Sequence, residues 1–137
     1  MKKSHLRFAF FPGGGGPNEK LDPLYERYVP VLRRLAGAGW EPLTYATAAD
    51  PDILVERFGS WKSANLCFTL TNQSQSEKQV AVRLDLQALG IAARELAGKA
   101  VRDLLDKNQA PAAISEGGLF NIRIAPGDIL AVEVSDK

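Results

Sequence analysis

Two segments in the middle of the chain alternate between apolar and polar side chains with the period of a β-strand. In residues 66–71, leucine and phenylalanine alternate with cysteine and threonine, and residues 80–86 repeat the pattern with valine and leucine. Successive side chains of a strand point to opposite faces, so each segment has one apolar face. We predict that the two strands form an antiparallel hairpin joined by a polar loop over residues 72–78. A hairpin alone is marginally stable, so this one requires a second layer.

Four further short segments are predicted strands, residues 53–59, 100–105, 119–124 and 129–134. Residues 100–105 fit a helix as well, and we take them as a strand because Gly98 and the turn over residues 106–108 bracket a short element. Residues 125–128 form a compact turn, residues 87–90 form a helical turn or a loop closed by glycine, and residues 92–97 fit either a helix or a loop. Short strands separated by polar turns are typical of an antiparallel β-sandwich. The predicted fold class is therefore mainly β, an antiparallel β-sandwich preceded by a short strand–Gly-loop–helix segment.

The N-terminal part of the chain has a different pattern. Residues 5–11 are apolar and aromatic and predict one buried strand, and the four glycines of residues 13–16 predict a loop. A phosphate-binding loop fits less well, because no Gly-Lys-Ser/Thr follows and Pro17 lacks an N–H group. Asp22 and Pro23 are typical of an N-cap and a first helical position. A helix is therefore predicted from this point.

The predicted helix carries one apolar stripe at three- and four-residue spacing. Pro30 lacks an N–H group, so we expect either a kink there or two helices, the first ending near Tyr28. Gly37 and Gly39 are expected to stop the helix. An uncovered stripe would expose apolar surface, which predicts either self-association as a homo-oligomer or docking within the chain. The stripe consists of Leu21, Leu24, Tyr28, Val31, Leu32 and Leu35.

The segment after the helix predicts the boundary between two parts of the chain. Residues 40–46 are expected to be extended at a sheet edge, because Pro42 cannot donate to a strand ladder. The following residues, 47–52, are polar and turn-like. We therefore predict a strand, loop and helix segment over residues 1–46 and a β-sandwich domain over residues 47–137.

Charge and hydropathy exclude several classes of partner. Lysine and arginine number 17 against 16 acidic residues, a formal net charge of +1. This balance gives no electrostatic reason to expect nucleic acid or an anionic membrane as a partner. No apolar run approaches the roughly 20 residues that span a bilayer. The start also lacks the apolar region of a signal peptide, so the sequence as written predicts a soluble, cytoplasmic chain and leaves its compartment otherwise open.

Residue types that usually carry catalysis or bind metals are few. Cys67 is the only cysteine, so it has no disulfide partner, and we expect a small semi-buried strand residue. His5 is the only histidine, which is too few for a zinc site, and a catalytic triad would have to recruit it without a Gly-x-Ser-x-Gly motif in the sequence. Asp50 and Asp52 flank a proline in a turn, where aspartate usually bonds the local backbone. We predict no catalytic, cofactor-binding or metal-binding residue.

Several segments resemble the C-terminal region of glycoside-hydrolase-like proteins, where a TIM barrel ends and a β-sandwich follows. They are residues 28–46, 55–59 and 119–134, together with residues 68–73, 80–85 and 101–105. The resemblance implies that the helix is the last helix of a barrel and that a tryptophan-containing segment crosses into the sandwich. It also implies that the catalytic carboxylates belong to the barrel. A barrel typically needs about 250 residues, more than the 137 of this chain.

The function implied by the resemblance is a non-catalytic accessory domain that stabilises or shields a carbohydrate-active barrel. Exposed aromatic rings can stack on sugars, so the alternative is a carbohydrate-binding module that uses Trp61, Trp40 and Tyr45. Packing is the competing interpretation of all three, and for Trp40 and Tyr45 it would be in the seam between helix and sandwich. A structural or oligomerisation domain is a further alternative. A stand-alone enzyme would need two convergent ionisable groups, which the sequence does not offer.

Overall fold

The computed structural model describes residues 22–137, which form a mainly β structure with one long helix, as predicted. The helices are α1 (Asp22–Ala38), the single turn α2 (Leu86–Leu89) and a 3-10 helix (Ala93–Leu96). The nine strands of this range are β1 (Trp40–Glu41), β2 (Ala46–Ala48), β3 (Ile53–Phe58), β4 (Cys67–Asn72), β5 (Lys78–Leu84), β6 (Lys99–Asp103), β7 (Ala112–Ala113), β8 (Leu119–Ile124) and β9 (Ile129–Asp136).

The strands form two antiparallel sheets that share one core. The larger sheet has the order β1-β3-β4-β9-β6-β7, and the smaller sheet has the order β2-β5-β8. Phe68 and Leu70 of β4 are fully buried, and they share the core with Val82 of β5 and Phe120 of β8. The apolar faces that the sequence predicts are therefore the inner faces of a β-sandwich. The predicted fold class is confirmed.

The predicted hairpin between the two central strands is wrong. β4 pairs with β3 and β9 in the larger sheet, whereas β5 pairs with β2 and β8 in the smaller sheet. The chain therefore crosses between the sheets over residues 73–77. Two strands that pair side by side leave their common apolar face uncovered, whereas two strands in facing sheets cover each other. A period of two is the same in both arrangements, so the alternation does not distinguish them.

The side chain of Asn72 holds this crossing in place. It is completely buried, and its Nδ2 donates to the carbonyl oxygens of Ser76 at 2.8 Å, Ile124 at 3.1 Å and Ala125 at 3.2 Å. Its Oδ1 accepts from the backbone N–H and the hydroxyl of Ser74 at 2.9 and 2.7 Å. One carboxamide thus ties the end of β4 to the crossing and to the end of β8.

Helix α1 runs from Asp22 to Ala38 as one element with Pro30 inside it. The predicted division into two helices is wrong, and the alternative of a kink stays a prediction. An interior proline costs about 3 kcal/mol or more, because a hydrogen bond is lost and the ring clashes with the preceding turn. Buried stripe residues lie on both sides of Pro30, with Tyr28 before it and Val31 and Leu35 after it. Their packing offsets the cost and keeps the helix continuous.

Gly39 ends α1 and turns the chain into β1. Its φ is +89°, and its N–H donates to the carbonyl oxygen of Leu35 at 3.0 Å. A left-handed residue that closes the last carbonyls is a common helix end. The stop predicted at Gly39 is confirmed, whereas Gly37 lies inside the last turn.

The apolar stripe of α1 docks on the outer face of the larger sheet. Four buried side chains form this contact, Val31, Leu35, Cys67 and Ala131. Arg34 forms an ion pair with Glu133 of β9, and Nε of Arg27 donates to the carbonyl oxygen of Leu105 at 3.0 Å. Docking within the chain is therefore the outcome for Val31 and Leu35, whereas Leu24 and Leu32 are only half-buried and Leu21 lies outside the described residues. Self-association through the rest of the stripe stays a prediction.

The remaining elements follow the predicted positions with small shifts. The extended segment over residues 40–46 becomes β1 and the start of β2, which lie at the edges of different sheets. The turn over residues 87–90 is α2, closed by Gly90 with φ 71°. The strand over residues 5–11 and the glycine loop lie outside the described residues. The division into residues 1–46 and 47–137 stays a prediction.

Candidate functional site

Trp40, one of the three aromatic candidates, lies on the edge strand β1. It pairs with Phe58 of β3, and 61% of its surface is exposed, so the predicted packing between helix and sandwich is wrong. Phe58 fills that position, because it packs against the cluster between α1 and the sheet. Leu43, three residues further along, is 58% exposed. We call Trp40 and Leu43 the crossing patch, since they lie on the segment that crosses from α1 into the sandwich.

Tyr45 packs against the sandwich core. The predicted packing is therefore found, but it is with the core of the sandwich and not between the helix and the sandwich. Its ring centroid lies 5.2 Å from the guanidinium carbon of Arg57. Arg57 is buried, and it donates to the carbonyl oxygens of Leu43 at 2.8 Å and Gly59 at 2.9 Å. Glu41 lies 3.6 Å from the same guanidinium. This role of Arg57 is not predicted from the sequence. Its alternation with Ile53 and Val55, on the inward face of β3, is the feature of the sequence that could have indicated it.

Trp61 lies in the predicted turn after β3, and Gly59 makes this turn possible. Gly59 has φ +74°, and a Cβ at this position would lie 1.8 Å from the carbonyl oxygen of Asn65. Inside the turn, the N–H of Ala64 donates to the carbonyl oxygen of Trp61 at 3.0 Å. The Trp61 ring is half-buried and packs against the core. The close approach of Gly59 to Asn65 and the hydrogen bond from Ala64 fix the backbone of the turn, and with it the place from which the Trp61 side chain extends.

The Trp61 ring lines a cleft of about 170 Å³, which we call the Trp61 cleft. Nζ of Lys99 lies 5.7 Å from the ring centroid and pairs with Asp136 at 2.7 Å. Nε1 of Trp61 donates to Glu95 at 3.3 Å. The hydrogen bond from Lys99 lowers the pKa of Asp136, and a backbone hydrogen bond from Ala92 does the same for Glu95. Both carboxylates are therefore hydrogen-bond acceptors at neutral pH.

The three aromatic candidates lie in different surroundings. Trp61 lines its cleft with Lys99 and Asp136, and neither Trp40 nor Tyr45 belongs to that lining. The structure thus brings Trp61 together with charged side chains rather than with the other two rings. An aromatic face beside hydrogen-bonding groups can hold a polar ligand with an apolar face.

The turn aspartates Asp50 and Asp52 hold Lys78. Nζ of Lys78 lies 2.9 Å from Asp50 and 3.3 Å from Asp52. Asp50 also accepts the N–H of Asp52 at 2.9 Å, so the predicted local backbone bonding is confirmed. The hydrogen bond from Lys78 lowers the pKa of Asp50, and the same bonds raise the pKa of Lys78. These carboxylates tie the turn before β3 to the start of β5.

Cys67 is fully buried, whereas the sequence predicts a semi-buried strand residue. The side chain is more buried than predicted because α1 covers its face of β4. Burial raises the pKa of the thiol, Glu133 adds to the effect, and Arg34 partly offsets it. Within residues 22–137, no three or more His, Cys, Asp or Glu side chains are grouped so that they could hold a metal ion. In the same range, no helix combines the length and apolarity needed to cross a membrane.

Comparison with known proteins assigns no family to the chain. No protein-family model matches it, and a search of curated proteins gives no match either. The resemblance to glycoside-hydrolase-like proteins therefore stays a prediction.

Proposed function

We propose that this chain is a non-catalytic accessory β-sandwich domain that packs beside the catalytic domain of a carbohydrate-active protein. The observation that carries the packing role is the crossing patch, in which Trp40 is 61% and Leu43 58% exposed. Two large apolar side chains that are exposed within four residues of one segment favour a contact site there. Tryptophan is among the residue types that contribute most to such contacts. The nature of the partner comes from the glycoside-hydrolase-like resemblance.

The place of the crossing patch in the fold supports a partner on the α1 side. Three residues of the α1 stripe, Tyr28, Val31 and Leu35, are already buried. The crossing patch follows directly after the helix, and its two side chains are more exposed than any other large hydrophobic side chain among the described residues. The resemblance makes α1 the last helix of a barrel, so a barrel would end next to this segment.

The pairing of the acidic side chains supports a non-catalytic role. Asp50 and Asp52 bind Lys78, and Glu133 binds Arg34. Glycoside hydrolysis requires two carboxyl groups that face a glycosidic bond from either side. Carboxylates that are occupied by ion pairs serve the fold instead.

The first test is to sequence the source DNA upstream and downstream of the codons for this chain. We expect a reading frame, fused or neighbouring, that encodes a βα barrel of about 250 residues. The barrel and this chain, expressed as separate polypeptides, should bind each other in isothermal titration calorimetry. Trp40→Ala should weaken the binding by about 30-fold or more, as for a central interface residue. Leu43→Ala should weaken it in the same direction.

Leu54→Ala is the matched control for Leu43→Ala. Leu54 is also exposed, at 42%, and it lies at the other end of β3 from the partner of Trp40. This variant should bind the barrel as the native chain does. The proposal is contradicted if no barrel is encoded nearby, or if the complex is insensitive to both crossing-patch substitutions.

A second candidate function, carbohydrate binding, is favoured by the Trp61 cleft. The cleft combines the Trp61 ring with the side chains of Lys99, Ser135 and Asp136. The chain has two tryptophans, so Trp61 is the only one that remains in the Trp40→Phe variant. Its fluorescence should shift when cellohexaose, xylohexaose or mannohexaose is added. In the reciprocal Trp61→Phe variant, the emission of Trp40 should stay constant when the oligosaccharides are added. This function would be excluded if the emission of Trp40 shifted in Trp61→Phe, or if the emission of Trp61 did not shift in Trp40→Phe.

A further inference from the structure

The two sheets stay apart along one side of the sandwich, where a cleft of about 200 Å³ opens. β8 is an edge of the smaller sheet, and β7 is an edge of the larger sheet. One end of the seam between them is closed, because the N–H of Ser115 donates to the carbonyl oxygen of Leu119 at 3.0 Å. The cleft opens further along β8, beside Asn121 and Arg123. We call it the seam cleft.

The floor of the seam cleft is aliphatic. Val101 and Val132 of the larger sheet are each 3% exposed, and Ile122 of the smaller sheet is 7% exposed. Leu130 is half-buried and extends the floor towards solvent. A branched aliphatic floor contacts C–H groups well and offers no hydrogen bonds. A ligand must therefore find its polar contacts at the rim.

The rim of the seam cleft carries three carboxamides. Gln79 of β5, Gln109 of the loop after β6 and Asn121 of β8 line it. Among the described residues, the side-chain amides of these three have no hydrogen-bond partner. A carboxamide offers two donors and one acceptor group, and a hydroxyl both donates and accepts. A ligand with several hydroxyl groups can therefore bond this rim in either direction.

The two charged side chains on the rim already have partners. Oδ1 of Asp103 accepts the N–H groups of Leu105 at 2.8 Å and Asp106 at 3.2 Å. Arg123 lines the other side and lies 3.3 Å from Glu77. Because Asp103 is held by backbone N–H groups and Arg123 by Glu77, an ionic ligand would have to compete with these contacts, which favours a neutral ligand.

We infer that the seam cleft binds one neutral, ring-shaped, polyhydroxylated molecule, such as a single pyranose unit. Its volume of about 200 Å³ lies below the roughly 300 Å³ at which drug-sized pockets begin, so it has room for about one ring. The C–H face of the ring would lie on Val101, Ile122 and Val132, and the hydroxyl groups would bond the carboxamides. This inference goes beyond the proposed docking role and uses neither the crossing patch nor the Trp61 cleft.

The side-chain NH₂ signals of Gln79, Gln109 and Asn121 report directly on the seam cleft in ¹⁵N–¹H spectra. The probes are the methyl glycosides of glucopyranose, galactopyranose and mannopyranose. At least one should shift these signals saturably, with a Kd in about the millimolar range expected for so small a ligand. Asn121→Ala should weaken binding about three- to tenfold, the loss of one or two net hydrogen bonds. Gln87→Ala, an exposed carboxamide on α2, should leave it unchanged.

Sorbitol and glucuronate are the matched probes, since one is an open-chain polyol and the other an anionic ring. Both should bind more weakly than the best glycoside. The inference is overturned if no glycoside gives saturable shifts, if sorbitol binds equally well, or if the shifts are confined to the indole N–H of Trp61. Barrel binding by the crossing patch is measured separately, so either proposal can fail while the other stands. Both Asn121 and Gln87 are exposed, and thermal melting verifies that the two variants are folded.

Discussion

At the scale of single residues, two buried polar side chains fix the loops that join the sheets. Asn72 bonds the carbonyl oxygens of Ser76 and Ile124, and Arg57 bonds that of Leu43. Leaving a buried polar group unpaired costs about 1–3 kcal/mol. A side chain that satisfies several carbonyl groups therefore restricts the path of each segment that carries them.

Asn72→Ala should lower the free energy of unfolding by about 2–4 kcal/mol, because it leaves buried carbonyl groups without a donor. Urea denaturation measures the change. Asn108→Ala is the matched control in an exposed turn, where the expected change is within about 0.5 kcal/mol. Equal effects of the two substitutions would show that Asn72 does not hold the crossing between the sheets.

Cys67 should make stability depend on alkaline pH. Burial raises the pKa of its thiol in the folded state, above the value of about 8.5 of an unfolded chain. The folded protein keeps a proton that the unfolded chain releases, so this stabilising contribution is present below about pH 8.5 and is lost as pH rises towards the folded pKa. The free energy of unfolding should therefore fall more steeply above about pH 8.5 in the native chain than in Cys67→Ala. Parallel curves from urea denaturation at a series of pH values would refute this.

At the scale of elements, α1 shows that packing can maintain a helix that local propensity opposes. Pro30 removes the hydrogen bond to Glu26, yet the helix continues across it because Tyr28 and Leu35 are buried on either side. Pro30 itself is exposed, so its ring contributes little packing.

Pro30→Ala should therefore raise the free energy of unfolding by about 1–3 kcal/mol, since alanine restores the missing N–H group and removes the clash. Thermal and urea denaturation give the change. Pro42→Ala replaces an exposed proline between β1 and β2, outside any helix, and should give no gain. A loss of stability in Pro30→Ala would mean that the helix depends on a bend at this residue.

The sequence predicts elements better than it predicts their neighbours. Alternation identifies β4, β5, β8 and β9, and three- to four-residue spacing identifies the α1 stripe, because these patterns depend only on residues close in sequence. The exposure of Trp40 depends on Phe58 filling the space beside the helix, a contact between different elements. The seam cleft depends on two sheet edges, which the order of strands along the chain does not specify.

At the scale of the whole molecule, the placement of β4 and β5 in different sheets separates the candidate surfaces. The crossing patch lies at the β1 edge, the Trp61 cleft at the end of β9, and the seam cleft between β7 and β8. A hairpin of β4 and β5 would join the sheets side by side, and the facing layers that form the seam cleft would be lost. The seam cleft therefore requires the sandwich arrangement, because both sheets line it.

Cross-strand NOEs between backbone protons report which strands are paired in each sheet. The structure predicts contacts between β4 and β9, such as Thr69 with Ala131, and between β5 and β8, such as Val82 with Phe120. A ladder of backbone NOEs that joins β4 directly to β5, for example between Leu70 and Val80, would contradict the sandwich and the sites placed on it.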